Sequence, residues 1–277
     1  MSDNPLGRAS TYPDQYAPEL LFGIDRAGTR QQMAAKEATL PMYGCDLWRA
    51  YELSWLDPMG KPMVALLEFV VDCHSPRIIE SKSLKLYLNS LNQMRFADRE
   101  AVKNLLINDL APVLGLQPQL SLQDVDGQFQ QWQVIPPGGQ SLDQQILEVQ
   151  NYHPDENLLS LLKPGQEIEE HVYSNLFRSN CPVTGQPDWA TVCISYQGQQ
   201  INHQSLLAYL ISYRQHAGFH EQCAERIFRD ISLCCAPRQL QVSLYFLRRG
   251  GIDINPVRSS IKLSQPGPAL RKRLLRQ

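Results

Sequence analysis

No apolar run approaches the ~18 residues a membrane-crossing helix needs, and the first twenty residues are polar and proline-containing, without the apolar core of a signal peptide. The expectation is a cytoplasmic chain with no membrane partner. Neither sign of charge dominates: 26 Lys and Arg against 28 Asp and Glu leave a net −2. No global field therefore recruits nucleic acid or an acidic membrane, direct nucleic-acid binding is not expected, and any such contact has to be local. The CxxC spacing is missing too. The seven cysteines, Cys45, Cys73, Cys181, Cys193, Cys223, Cys234 and Cys235, are odd in number, which suggests neither a disulfide framework nor a zinc ribbon and fits a reducing compartment. A G-x-G-x-x-G string occurs nowhere, so nothing points to a Rossmann domain.

What is present suits a soluble globular protein. With 43% hydrophobic and 19% charged residues, 277 residues suffice for two modest domains. Residues 1 to about 40 show no sustained period and read as an arm wrapping a body. Leu47 to Leu56 and Met63 to Val71 are rich in Trp, Tyr, Val, Leu and Phe, with Asp57-Pro58-Met59-Gly60-Lys61-Pro62 between them, which predicts an antiparallel hairpin. After Glu80-Ser81-Lys82-Ser83 come Leu84, Leu88 and Leu91 at helical spacing, so the polar tetrad marks a helix start. Free N–H groups with Lys82 and Lys85 would suit a phosphate there, and a capped surface helix would look the same. Asp98 announces a second helix ending near Pro112 and Gly115. From about 116 to 178 the chain is Gln-rich and broken by Pro136-Pro137-Gly138-Gly139 and Lys163-Pro164-Gly165, and the module boundary is placed there, near residue 150.

The last third repeats the first. Trp189 to Tyr196 alternates as a strand, and Ser205-Leu206-Leu207-Ala208-Tyr209-Leu210 echoes Ser83-Leu84-Lys85-Leu86-Tyr87-Leu88 at a constant offset. Ser212 falls opposite Ser90, and Asp230 matches Asp109 after a one-residue slip. In the later copy Ala224, Ile227, Phe228 and Ile231 form one apolar helix face. Strands followed by a helix pair, twice over, predict a duplicated α+β unit, with antiparallel sheets backed by helix pairs, in modules 1–150 and 151–277. Leu240 to Leu247 is the final strand expected. It runs into Arg248-Arg249-Gly250-Gly251, either a phosphate grip or a Gly-rich turn with solvated arginines. Arg271-Lys272-Arg273 reads as a solvated basic tail.

The stretch that carries chemistry is Ser179-Asn180-Cys181-Pro182-Val183-Thr184-Gly185-Gln186-Pro187-Asp188. Two prolines and a glycine make a stiff polar loop that can hold Cys181 exposed, and Asp188 closes it where a carboxyl could deliver a proton to whatever the thiol attacks. The competing reading is a small buried thiol beside a loop carboxylate.

Four strings together, ESKSLKLYLNS (80–90), SNCPVTGQPDWA (179–190), FHE (219–221) and RRGGIDINPVRS (248–259), resemble the long, two-module form of the NADPH-dependent 7-cyano-7-deazaguanine reductases, the QueF family. The resemblance implies tandem tunnelling-fold (T-fold) modules related to GTP cyclohydrolase I, with ligand sites at module interfaces. It implies reduction of the nitrile of 7-cyano-7-deazaguanine to 7-aminomethyl-7-deazaguanine, a queuosine precursor for transfer RNA, with two NADPH consumed and no metal. Position by position, Cys181 would form a covalent thioimide and Asp188 would donate the proton. Ile79, Glu80, Ser81, His220 and Glu221 would hold the base, and Ser81, Lys82, Arg249 and Gly250 would contact NADPH. A homodimer is expected by the same resemblance. Other readings are a cysteine hydrolase with His220 as base, a zinc site using Cys73, His74 or Cys181, for which adjacent Cys73 and His74 are poorly spaced, and a non-catalytic purine-binding module.

Overall fold

The computed structural model describes residues 13, 15–33, 40–127, 134–162, 165, 167–263, 271 and 273–277. Much of the amino-terminal arm, part of the Gln-rich stretch, Lys163-Pro164 and Lys272 of the basic tail lie outside the described residues. Among those described, no helix is long and apolar enough to cross a membrane. The architecture is mixed α+β, and the chain divides into two compact units: Met1–Lys36, Asp46–Phe129 and Arg248–Ile254 in the first, Glu37–Cys45, Gln130–Leu247 and Asn255–Gln277 in the second. Residues 130–150, assigned by sequence to the first module, fall in the second unit, and 248–254 fall in the first. Helical and strand periods report local faces and not which body a segment joins, so a single cut at one residue does not describe this division.

In the first unit a short strand β1 (Gly23–Asp25) leads into α1 (Arg26–Met33), and β2 (Tyr43–Leu56) and β3 (Pro62–Asp72) are the two strands of the expected hairpin. Asp57 makes their turn: its Oδ1 accepts from the N–H groups of Met59 and Lys61, both at 2.9 Å. β4 (Arg77–Ile79) pairs antiparallel with β1 and runs directly into α2 (Ser81–Ser90), and α3 (Arg99–Leu114) follows. Asp98 caps α3 through the Ala101 N–H at 2.8 Å. Gly115 ends it in the left-handed region at φ 71°, a conformation that favours glycine. β5 (Gln119–Gln123) pairs antiparallel with β3, giving the order β5-β3-β2. Trp48, Leu67 and Phe69 of this sheet share a core with Leu84, Tyr87 and Leu106 of the helix pair.

In the second unit β6 (Gln140–Ser141) and β7 (Glu167–Ser174), which pair parallel, precede β8 (Arg178–Asn180) and β9 (Pro187–Gln199). Then come α4 (His203–Ile211), α5 (His220–Cys235), β10 (Gln239–Phe246) and β11 (Ile252–Ser259), which belongs to this unit from Asn255 onward. β9 pairs antiparallel with β7, β8 and β10, and β10 pairs with the end of β11. Val192, Ile194 and Leu244 of the sheet share a core with Leu206, Leu210 and Ile227 of α4 and α5. Two long strands escape the sequence reading. β7 lies in the Gln-rich stretch, where its glutamates hide the alternation, and the buried β11 contains Pro256, which ordinarily argues against a strand.

The two helix pairs carry the same hydrogen bonds, at an offset of 122 residues for the serines and tyrosines (83 to 205, 87 to 209, 90 to 212) and of 121 for the aspartates (109 to 230). Ser83 Oγ donates to Glu80 O at 2.7 Å and Ser205 Oγ to Asn202 O at 2.8 Å. Ser90 Oγ donates to Tyr87 O, and Ser212 Oγ to Tyr209 O, each at 2.6 Å. Tyr87 OH donates to Asp109 at 2.5 Å, and Tyr209 OH to Asp230 at 2.7 Å.

Candidate active site

β8 and β9 form a hairpin whose register sets Ser179 opposite Asp188 and Asn180 opposite Pro187. At its tip the Cys181 N–H donates to Gln186 O at 2.8 Å, and the Gly185 N–H, with φ 68°, donates back to Cys181 O at 3.0 Å. Opposed residues share a face and alternate residues share a face, so Cys181, Ser179 and Asp188 all belong to one side of the ribbon. Cys181 and Asp188 are then diagonal neighbours, a relation that places backbones about 7–8 Å apart, within side-chain reach. The separation of seven residues is what produces this. Cys181 is half-buried and Asp188 is 6% exposed.

A second segment is laid along the free edge of β8. The Asn180 N–H donates to His216 O at 2.8 Å, and the Gly218 N–H donates to Asn180 O at 3.1 Å. Two residues later α5 begins, with the Phe219 N–H before it donating to Gln222 Oε1 at 3.2 Å. The apolar face Ala224, Ile227, Phe228 and Ile231 is buried as expected and fixes the rotation of the helix. That rotation brings His220 Nε2 to 3.3 Å from Asp188 Oδ2. The imidazole stacks on Phe246 at 3.6 Å between centroids and 5° between planes. Glu221 is 2% exposed, at the helix end whose dipole favours a carboxylate. Burial pushes the Cys223 thiol up to about 12, and the Asp188 and Glu221 carboxylates add to the shift. The second unit thus sets His220 against Asp188, with Asp188 and Glu221 near Cys223, and carries Cys181 at the tip of the same β8–β9 hairpin.

The remaining expected residues belong to the first unit. Ile79 ends β4 and is buried, and Glu80 caps α2: its carboxylate accepts from the Lys82 N–H at 2.9 Å and the Ser83 N–H at 2.7 Å. Of the two readings of this helix start, a phosphate site or a capped helix, the cap is the one seen, since Glu80 occupies two of the N–H groups. Ser81 and Lys82 are half-buried on the first turn of this helix. Arg249 and Gly250 form a tight turn, with the Arg249 N–H donating to Ile252 O at 2.9 Å. This turn and α2 flank a cleft of about 90 Å³ lined by Glu52, Lys85, Asn89, Gly250 and Gly251. Gly250 has φ 56°, and a Cβ there would stand 3.1 Å from Lys85 Nζ and Cε. The cleft stays open because residue 250 has no side chain. Of the four residues expected at the cofactor, Gly250 lines this cleft, Arg249 adjoins it, and Ser81 and Lys82 open the helix that forms its wall.

Sequence reasoning missed Phe246, the platform for His220, because a phenylalanine ending a buried strand looks like any core residue. It also missed that Ser179 lies opposite Asp188, which the register alone reveals. Among the described residues, Asp72, Cys73 and His74 hold ligand atoms within 4.8 Å of one another. They are consecutive residues, and this grouping does not include Cys181.

Residues 12–122 match the family model described as nitrile reductase, 7-cyano-7-deazaguanine-reductase N-term, and residues 187–265 match one described as QueF-like protein. Several curated relatives are named NADPH-dependent 7-cyano-7-deazaguanine reductase. The one from Stenotrophomonas maltophilia (strain K279a) is 47% identical over 270 residues, covering 98% of this chain and 97% of the relative. That from Burkholderia vietnamiensis is 47% identical over 266 residues, and that from Bordetella bronchiseptica 47% over 267, each covering 96% of both chains.

Proposed function

The chain belongs to the family of NADPH-dependent 7-cyano-7-deazaguanine reductases and is an oxidoreductase that acts on a nitrile with NADPH, and we propose that it does so through a covalent thioimide on Cys181. The product is the aminomethyl base, a step toward queuosine. The observation that carries the reading is the shared face of the β8–β9 hairpin, with Cys181 and Asp188 as diagonal neighbours and α5 beside them.

The roles follow from the groups. A nitrile carbon accepts hydride poorly. Addition of the Cys181 sulfur to that carbon forms a C–S bond and pushes one pair of the triple bond onto nitrogen, which takes a proton from Asp188. NADPH supplies the hydride, one equivalent for each of two reductions. After the first, the C–S bond breaks, returning its electron pair to Cys181 and leaving an imine; after the second, the nitrogen takes up a further proton as the amine. Glu221 accepts from the ring N–H and the exocyclic amine of the base, two adjacent donors that one carboxylate can serve. His220, held flat by Phe246, positions the Asp188 carboxyl. Ile79, Glu80 and Ser81 are assigned to the base, and Ser81, Lys82, Arg249 and Gly250 to NADPH. The matched hydrogen bonds of the two helix pairs support tandem T-fold modules. A homodimer working in the cytoplasm, without direct nucleic-acid contact, completes the proposal.

The test is nitrile-dependent oxidation of NADPH, with two NADPH consumed per nitrile, together with intact mass after mixing protein and nitrile alone. A mass increase of one substrate molecule, absent in Cys181→Ala, is the expected result. A hydrolase using Cys181, His220 and Asp188 would instead turn over esters or amides without nicotinamide, and a binding module would keep its function in Cys181→Ala.

A further inference from the structure

The back of the nucleophile hairpin carries a feature that the reduction does not use. Trp189 follows Asp188 in β9, so it faces the opposite side of the ribbon, directly across from Arg178 of β8. Three guanidinium groups converge on its ring: Arg178 at 5.7 Å from the centroid, Arg214 at 5.4 Å and Arg276 at 5.7 Å. They come from β8, from the turn after α4 and from the carboxy-terminal segment, so no local repeat explains their meeting. The hydrogen bonds they make go to neutral groups: Arg178 donates to Asn180 Oδ1 at 3.0 Å, and Arg276 donates to Asn175 O. Arg178 Nε is buried and has no hydrogen-bond partner among the described residues. Nor, among those residues, is any of the three arginines ion-paired with a carboxylate. Arg214 and Arg276 are exposed.

Three like charges gathered around one point repel one another, and the indole quadrupole offsets only part of that. In a chain of net charge −2 the cluster is a local concentration of positive charge without its counter-charge. Guanidinium forks match the oxygens of a phosphate, and three forks from separate directions suit a phosphate monoester, which offers three terminal oxygens. We propose that Arg178, Arg214 and Arg276 around Trp189 form a binding site for a terminal phosphate group. Its source is either the 2′-phosphate of the dinucleotide or a free phosphate. Asn180 ties the site to the nucleophile: its side chain accepts from Arg178, its Nδ2 donates to Arg214 O at 3.5 Å, and Cys181 is the next residue.

The test titrates full-length protein with inorganic phosphate, adenosine 2′,5′-bisphosphate, NADPH and NADH, reading intrinsic fluorescence and heat. The wild type is expected to bind the first two with a fluorescence change that Trp189→Phe lacks. Affinity should fall at least ~tenfold in Arg214→Ala/Arg276→Ala and recover partly in Arg214→Lys/Arg276→Lys, because both positions are exposed and the substitutions change charge rather than core. If NADPH weakens in the double Ala variant while NADH does not, the source is the cofactor's 2′-phosphate; if NADPH is unchanged while phosphate is lost, it is free phosphate. A wild type that binds neither phosphate nor the bisphosphate, or a double Ala variant that binds them as the wild type does, overturns the proposal. Nitrile-dependent NADPH oxidation by the wild type tests the reductase reading separately.

Discussion

Replacing Asp188 by Asn separates two tasks that a carboxyl in this position could have. If it only orients His220, which lies 3.3 Å away, the amide keeps its shape and one hydrogen bond. The loss is then the difference between a charged and a neutral hydrogen bond, about 1 kcal/mol. At about 1.4 kcal/mol per tenfold this is roughly a fivefold effect. If Asp188 delivers the proton to the nitrile nitrogen, the amide has none to give, and removal of a positioned acid costs about 10²–10⁴-fold. The carboxyl is buried at 6% exposure, so bulk water is a poor substitute. The expected outcome for Asp188→Asn is a kcat lowered at least ~100-fold with a nitrile KM within about fivefold. Steady-state NADPH oxidation gives both numbers, and adduct formation followed by intact mass should slow as well. A kcat lowered less than ~10-fold would refute proton delivery by Asp188 and leave it an orienting group.

Tyr209→Phe should cost more stability than Tyr87→Phe, about 2–3 against about 1 kcal/mol, as read from urea midpoints. The first strips a partner from both Asp230 and the buried Tyr213 hydroxyl, whereas Asp109 keeps a second donor in Tyr16. Burial, helped by Arg226 and His153, holds His216 down at about 4. Its contribution is fully present above the unfolded value of about 6.5 and is lost as pH falls toward about 4. Between about pH 7 and 5 the wild type should therefore lose about 1 kcal/mol more than His216→Gln, allowing for partial exposure, and equal losses in urea melts would contradict this. Burial pushes Cys193, Cys223 and Cys235 up to about 12, whereas Cys181 is half-buried and Cys234 exposed. An alkylating reagent at about pH 8 should modify Cys181 and Cys234 first, with the nitrile protecting Cys181 alone; peptide mass mapping reads the order.

Much of the site is legible in the chain because its information is local. Cys181, Asp188 and the prolines and glycine between them are read directly as a stiff loop, whereas the hairpin register that sets Ser179 opposite Asp188 emerges only on folding. The Asp57 turn, the Asp98 cap and the Gly115 stop are likewise contacts within a few residues. The repeat is legible for a related reason: Ser83, Tyr87 and Ser90 and their later counterparts bond within their own helices or to the next one. What the chain does not declare is where long-range pairing overrides local preference. Pro256 sits in a buried strand, and Glu80, at a helix start that the chain leaves open to a cap or a phosphate, turns both oxygens onto its own helix. The stack of His220 on Phe246 and the meeting of three arginines at Trp189 join segments far apart in sequence. Composition and spacing therefore define the groups on offer: a cysteine and a carboxyl in one short segment, and the doubled helix pairs. Which groups face one another is fixed only on folding, because helix rotation and strand register are set by burial of whole faces, a quantity no short window contains.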